Sequence, residues 1–310
     1  MRPLLIKTAC LFAPLLLFCY FLEVRLDKVV NNYSFKKACL EDRLDSIQVL
    51  VLGSSQATEG INPAFFSEYG FNLANMSQSL FYDTRLALKY IDRMPKLKYA
   101  IITLSYFSFG YQISDGIEGW KDYYYSQFWG IDFPELGVLD LRRYSKLALY
   151  TPLQSLIYFR KGFKVPLDSE FKSNGYLKID MIGNDLNIND SLGHKRVKFH
   201  DKYFREDRVA GNVKDLETLI RAFKKRNVTP VLLTTPVFPT YSKFADKHRL
   251  LMNDSIINKL CSENGCRYCN YFLDKRFIKT DFVDNDHLNF MGAEKFSRII
   301  DEEVIKGGNN

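Results

Sequence analysis

Several features that would place a protein in a common class are missing from this chain. Its 310 residues carry 43 Lys and Arg against 36 Asp and Glu, for a formal net charge of +7, and the basic residues are scattered among the acidic ones. A nucleic-acid-binding surface usually concentrates its basic residues in a stripe or patch, so we expect no nucleic-acid partner. The chain also has no internal repeat and no low-complexity segment. With 46% hydrophobic residues, it has the composition of an ordinary globular protein.

Cysteines are few, and their spacing does not complete a metal site. The six are Cys10, Cys19, Cys39, Cys261, Cys266 and Cys269, the last three in a C-x4-C-x2-C pattern. No histidine stands close to this pattern and no fourth ligand is evident, so we predict no closed zinc site and no cofactor. One disulfide among the last three cysteines would fit an oxidising compartment.

The N-terminus departs from the pattern of a soluble protein. From Pro3 to Leu22 the chain is apolar except for Lys7, which approaches the ~20 residues that span a bilayer. No small-x-small cleavage site follows. We therefore predict an uncleaved transmembrane signal anchor over residues 1–22 and a juxtamembrane stalk over 23–45.

The sequence gives conflicting indications of the orientation of this anchor in the membrane. Basic residues on both sides of the apolar run, counted by the positive-inside rule, would leave the globular domain in the cytoplasm. Large domains cross membranes largely regardless of such charges. We predict a single-pass membrane protein with its catalytic domain outside the cytoplasm.

Strand and helix patterns alternate through most of residues 46–310. The predicted strands are Ser46–Leu52, Gly70–Ala74, Tyr99–Leu104, Pro230–Thr234 and Arg267–Tyr271. Helical patterns lie between them, and the last helix is predicted over Gly292–Val304. This alternation predicts an α/β fold with three layers and about five mostly parallel strands.

An aromatic-rich insertion over residues 105–210 interrupts the alternation. It is predicted to be largely irregular, and its rings could form a substrate platform or the core of a small subdomain. The subdomain interpretation is favoured for most of them. His194 and His200 lie in the same insertion and are expected to be solvated surface residues. Tyr106 and Phe107 follow the third strand directly and are expected nearest the site.

Two short motifs at opposite ends of the domain carry the chemistry. Gly53-Ser54-Ser55 follows the first strand, and Asp284-Asn285-Asp286-His287 precedes the last helix. Open α/β sheets bind ligands at the carboxyl ends of their strands. A serine there needs an imidazole to take its proton, and a carboxylate to hold that imidazole. We predict Ser55, His287 and Asp284 as nucleophile, base and orienting acid, with Ser54 as the alternative nucleophile and no metal.

With these residues in place, the chain resembles the SGNH (GDSL-like) hydrolases over roughly 46–104 and 212–304. The similarity is greatest to the membrane-anchored branch that includes the teichoic-acid D-alanylation protein and the alginate O-acetyltransferases. The resemblance implies a flavodoxin-like α/β/α SGNH fold. Gly53-Ser54-Ser55 stands where the family has Gly-Asp-Ser, and Asp284-x-x-His287 matches the family's last block.

The other two family blocks differ here. Ser77 stands where the second block has an oxyanion-binding glycine, and the segment Ser105-Tyr106-Phe107-Ser108, where the third block supplies an asparagine, contains none. The resemblance therefore implies an oxyanion hole formed by the Ser55 and Ser77 amides, with a side chain such as Asn75.

The family resemblance also implies a function. We expect acyl transfer or ester hydrolysis on a cell-envelope polysaccharide through a Ser-His-Asp triad and an acyl-enzyme, with a membrane-bound acyl donor protein as partner. A plain carboxylesterase is the nearest enzymatic alternative. A non-catalytic envelope protein that binds glycan or acts as a scaffold on a degenerate SGNH fold is the alternative from another class.

Overall fold

The computed structural model describes residues 2–164 and 170–307, with side chains from Cys10 onward. The strands are β1 Val49–Leu52, β2 Gly70–Asn72, β3 Tyr99–Thr103, β4 Thr229–Thr234 and β5 Arg267–Asn270. The α-helices are α1 Arg2–Leu26, α2 Asn32–Glu41, α3 Ser55–Gly60, α4 Leu80–Tyr90, α5 Lys121–Tyr124, α6 Lys146–Leu149, α7 Pro152–Arg160, α8 Asp190–Lys202, α9 Glu206–Lys225, α10 Pro239–Ser242, α11 Lys247–Asn264 and α12 Phe290–Ile300. Shorter helical turns lie at Pro63–Phe65, Ile91–Arg93, Ser108–Gly110, Ile113–Asp115, Tyr125–Trp129, Leu141–Arg143, Lys279–Asp281 and Asp301–Lys306.

The chain divides into two compact units. The first comprises residues 1–35 and 120–169, and the second comprises 36–119 and 170–310, each within the described range. The predicted insertion at 105–210 is thus shared between the two units. Its second part is also more regular than predicted, because it contains α8 and the start of α9.

The sheet of the second unit confirms the predicted α/β fold. All five predicted strands are present: β4 begins one residue earlier than predicted, and the other four are shorter by one to three residues. All pair in parallel in the order β2-β1-β3-β4-β5. Such strands are expected to be continuous apolar runs, because helices cover both faces of a parallel sheet. In β1 all four residues, Val49–Leu52, are buried.

Helices cover the two faces of this sheet through different side chains. Val49 and Val51 of β1 belong to one apolar cluster with Phe296 and Ile300 of α12. Helix α9 contacts strand β4, and it also contacts helices α4 and α11. The strong amphipathic pattern of α12 is therefore explained by its position against the strands.

The strand order defines where a ligand should bind. In the order 2-1-3-4-5 the chain reverses direction across the sheet between β1 and β3, and a crevice opens beyond their carboxyl ends. Gly53-Ser54-Ser55 follows β1 and Ser105 lies just after β3. Both segments therefore lie at this switch point.

The first unit has a small core of its own, and many aromatic residues of the insertion belong to it. The Tyr33 ring lies 5.2 Å from the rings of both Tyr124 and Tyr125. Trp129 is buried as well. In the same unit, the Glu23 carboxylate accepts the backbone N–H groups of residues 146 and 147, at 2.6 and 3.0 Å, at the start of α6. These rings therefore serve packing, as the subdomain interpretation predicted.

The transmembrane helix predicted within residues 1–22 gains no support from the structure. Residues 1–9 of that segment lie outside the range with described side chains. Within that range, no helix combines the length and the apolar character that crossing a membrane requires.

Candidate active site

Gly53 makes the turn that presents the candidate nucleophile. Its φ of +135° is a conformation that side chains disfavour, and a Cβ atom there would lie 1.8 Å from Oγ1 of Thr103. Ser54 then serves as N-cap residue of α3, and Ser55 is the first residue of that helix. The Ser55 backbone N–H is thus one of the free donors of a helix start, where negative charge is stabilised.

The histidine motif is held by the start of α12. Asn289 is its N-cap residue, and the side-chain oxygen accepts the N–H groups of Met291 and Gly292 at 3.0 and 3.1 Å. Its Nδ2 donates to the carbonyl oxygens of residues 280 and 282, at 2.7 and 3.2 Å. One asparagine therefore ties the loop that carries His287 to the helix that follows it.

A continuous hydrogen-bond chain joins the three predicted catalytic residues. Oγ of Ser55 lies 2.9 Å from Nε2 of His287, and Nδ1 of His287 lies 3.0 Å from both carboxylate oxygens of Asp284. The Asp284 carboxylate also accepts the backbone N–H of His287 at 2.9 Å. When Nδ1–H donates to Asp284, Nε2 is left to accept the serine proton. This arrangement has the parts of a Ser-His-Asp triad.

Ser54, the alternative nucleophile, is directed away from the imidazole. Its hydroxyl lies 3.0 Å from Oγ of Ser105, and Ser105 donates to Oε1 of Gln56 at 2.7 Å. Thr235 donates to the same oxygen at 3.0 Å. Ser54 and Ser105 therefore belong to a buried polar network, and Ser55 is the serine that reaches His287.

A second carboxylate and an arginine, which the sequence did not single out as functional, surround the histidine. The Asp286 side chain is fully buried and lies 3.6 Å from Nδ1 of His287. Arg196 of α8 donates from Nε to Asp286 at 2.8 Å and brings Nη2 to 3.3 Å from Nε2 of His287. Asp286 was inside the motif that the sequence indicated. Arg196 had no sequence signal, since α8 lies in a segment predicted to be irregular.

These charges set the protonation of the site. Burial by itself lowers the pKa of His287, but the Asp286 and Asp284 carboxylates outweigh it and raise that pKa to about 10. Burial raises the pKa of Asp284, but the His287 charge and hydrogen bonds dominate and hold it well below its usual range. For Asp286, burial prevails and raises the pKa despite His287 and Arg196. The resting site therefore favours an imidazolium between carboxylates.

The structure separates the two residues that the family resemblance suggested for the oxyanion hole. Ser77 lines the same pocket as Ser55, and its φ of +63° is a conformation typical of glycine. This backbone matches its position at the family's glycine. Asn75 is buried, its side-chain oxygen accepts the N–H of Met76 at 2.9 Å, and it does not line that pocket. Of the two residues, only Ser77 therefore lines the pocket beside Ser55.

A pocket of about 210 Å³ opens beside Ser55. Its walls are mainly aromatic and apolar, and they include residues from α8 and from the segment after β3. A larger cavity of about 550 Å³ lies over the ends of β3, β4 and β5, but neither Ser55 nor His287 lines it. Of these two, only the smaller pocket is lined by Ser55, the serine of the hydrogen-bond chain.

His200 corrects one sequence-based expectation. As part of an irregular insertion, it was expected to be a solvated surface residue, but it is buried on α8. Nδ1 lies 2.6 Å from the Tyr241 hydroxyl, and Nε2 lies 3.9 Å from the Asp286 carboxylate. Burial and the Arg196 charge lower its pKa well below the ordinary value. A neutral His200 therefore lies close to His287 and lines the pocket beside Ser55.

The same motif contains donor groups that a metal ion could use. Asp284, Asp286 and His287 each offer one ligand atom within 4.8 Å of the others. The Arg196 guanidinium is already paired with Asp286 and would repel a divalent cation at that position. The arrangement of these four side chains fits proton transfer better than metal binding.

The six cysteines are free, so the disulfide that the spacing of the last three left open is not formed.

Comparison with solved structures finds matches of low sequence identity and low structural similarity. A candidate acylhydrolase from Bacteroides fragilis matches with a TM-score of 0.39 and 9% identity, over 84% of this chain and 87% of its own. A GDSL-like lipase from Bacteroides thetaiotaomicron matches with a TM-score of 0.41 and 11% identity, over 89% of this chain and 99% of its own. No protein-family model and no curated protein matches the chain. We therefore base the functional assignment on the geometry of the site.

Proposed function

We propose that this chain is an SGNH-type serine acyl-transfer enzyme. The observation that carries the proposal is the hydrogen-bond chain from Asp284 through His287 to Ser55, with steps of 3.0 and 2.9 Å. Chance rarely places a serine and a histidine 232 residues apart in sequence at this distance with a carboxylate behind the ring. The position of the three groups at the switch point of the sheet supports the same function.

The proposed reaction proceeds in two steps. Ser55 Oγ attacks the carbonyl carbon of an ester while its proton passes to Nε2 of His287, which then protonates the departing alkoxide. The acyl group remains on Oγ. Water or another hydroxyl then attacks the acyl-enzyme, gives its proton to Nε2, and the serine proton is restored. Asp284 keeps Nδ1 protonated and stabilises the imidazolium that forms in each step.

The backbone amides of Ser55 and Ser77 would receive the charge that develops on the carbonyl oxygen. Removing one such donor in a serine hydrolase costs about 2.7–4 kcal/mol of barrier, so the missing third-block asparagine should make hydrolysis slow. We further propose, from the family resemblance, that the acceptor is a cell-envelope polysaccharide and that a membrane-bound protein supplies the acyl group. The location outside the cytoplasm remains a prediction.

One observation favours the non-catalytic alternative. Ser105, the first residue of the segment that lacks the third-block asparagine, donates its hydroxyl to Gln56 and so points into the buried network. A protein with the triad but too few oxyanion donors could bind a glycan or a partner without turnover.

Active-site labelling distinguishes the two functions. The full chain should react with a fluorophosphonate probe, and Ser55→Ala and His287→Ala should abolish that labelling. Ser54→Ala is the matched control and should keep it, since Ser54 bonds to Ser105 and not to His287. Absence of labelling in the wild-type protein across pH 6–10 would refute the catalytic function.

A further inference from the structure

The lining of the pocket beside Ser55 bears on which half of an ester, the acyl group or the alcohol, binds there. Six of its lining residues present aromatic or apolar surface: Met76, Phe107, Tyr111, Ile117, Phe199 and Tyr203. The Phe107 and Tyr111 rings lie 5.4 Å apart, and the Phe199 and Tyr203 rings lie 5.1 Å apart, each pair edge to face. Such rings pack well and favour apolar ligands.

Three polar side chains of the same pocket, Ser77, His200 and Arg196, are already bonded to protein. Oγ of Ser77 donates to the Glu118 carboxylate, and Nδ1 of His200 bonds the Tyr241 hydroxyl at 2.6 Å. Nε of Arg196 donates to Asp286 at 2.8 Å. A sugar ring in this pocket would bury hydroxyl groups with few partners, which is costly. An apolar acyl chain requires no such partners.

The volume of this pocket limits the size of the acyl group that fits in it. At the ~30 Å³ that a water molecule occupies in the liquid, about 210 Å³ accommodates roughly seven non-hydrogen atoms. An acetyl group has three and would leave more than half of the space unfilled. An acyl group of about six carbons, with its carbonyl oxygen, has seven.

We propose that this pocket is an acyl-binding site that selects an apolar acyl group of about six carbons over acetyl. The inference rests on the proposed function, because Ser55 must carry the acyl group. In the acyl-enzyme the carbonyl carbon is bonded to Ser55 Oγ and the chain extends between the aromatic pairs. The alcohol half of the ester then leaves on the side of His287, whose Nε2 protonates it.

Hydrolysis of p-nitrophenyl esters by the full chain tests this selectivity. Across acetate, butyrate, hexanoate, octanoate and dodecanoate, kcat/KM should rise by up to about fourfold for each added CH2 group until the pocket is full, near hexanoate. It should then level off or fall. Activity that depends on Ser55 but is highest with acetate would overturn the acyl-site proposal and leave the enzymatic function intact. No Ser55-dependent activity with any ester would instead overturn the proposed function.

A rim variant provides the structural control. Ile117 is 69% exposed, so Ile117→Trp should fill the pocket without disturbing the core. The ratio of hexanoate to acetate kcat/KM should fall at least tenfold. Leu251→Trp is the matched control, because Leu251 is 67% exposed and lies on α11 away from the pocket, and that ratio should not change. An equal loss for every chain length in Ile117→Trp would assign the pocket to the alcohol half and overturn the proposal.

Discussion

The charge of Asp286 should set the pH at which this site becomes reactive. With the pKa of His287 raised to about 10, the imidazole is mostly protonated at neutral pH and cannot take the Ser55 proton. Only the small neutral fraction reacts. The labelling rate of the wild-type protein should therefore rise about tenfold for each pH unit from 6 to 9.

Asp286→Asn removes one of the two carboxylates beside the ring and keeps the side chain's shape. At the 3.6 Å between Nδ1 of His287 and Oδ1 of Asp286, an effective dielectric constant near 20 gives an interaction of roughly 4–5 kcal/mol. That corresponds to about three pH units. The Arg196 guanidinium, left without its partner near Nε2, would lower the His287 pKa further. We expect the midpoint of the profile to move from about 10 to near 7.

The assay is the second-order rate constant for fluorophosphonate labelling, measured from pH 5 to pH 10. Asp286→Asn should react faster than the wild type below pH 8 and lose that advantage at pH 10. Asp284→Asn is the contrasting control: it should be slow at every pH, because Nδ1 loses the partner that sets the tautomer. Circular dichroism would check that both variants are folded. The same midpoint in wild type and Asp286→Asn would refute the electrostatic reasoning.

Three further predictions concern stability. Burial raises the pKa of Asp83 to about 7. Because the folded state binds its proton more tightly than the unfolded state does, stability should fall by about 4 kcal/mol as pH rises from about 4 to 7, and Asp83→Asn should flatten that loss in urea titrations. Gly53→Ala should lower the free energy of unfolding by about 3 kcal/mol, since its Cβ would overlap Thr103 at an unfavourable φ; an unchanged urea midpoint would contradict this. Asn289→Ala should cost about 2 kcal/mol in the same titration, because α12 loses its cap, and should also slow labelling; normal labelling with lowered stability would show that the cap does not position the site.

The strands and the three residues of the hydrogen-bond chain could be recognised in the sequence for a common reason. A buried parallel strand must be apolar on both faces, so the run before Gly53 signals β1 by itself. Residues that follow such strands are brought to one edge of the sheet whatever the loops do. The pairing of Ser55 with His287 and Asp284 therefore followed from position in the chain.

The insertion was misread for the opposite reason. Helix α8 has a weak amphipathic pattern, and it buries His200, a polar side chain in a segment rich in charged residues. Tertiary contacts outweigh such local preferences. The division of the insertion between two compact units also could not be predicted from the sequence pattern of residues 105–210.

By itself, the sequence determined the five-stranded α/β fold, the strand-end serine and the late Asp-x-x-His motif, because each depends on periodicity or on short-range order along the chain. Only the tertiary structure decided which of two serines reaches the imidazole, since Ser54 and Ser55 differ only in the direction of their side chains. It also brought Arg196 to within 3.3 Å of His287 and built the apolar pocket beside Ser55. These features depend on which segments of the chain meet in space. Electrostatic and packing interactions depend on the distances between atoms, and residues far apart in the sequence can lie close together in the fold.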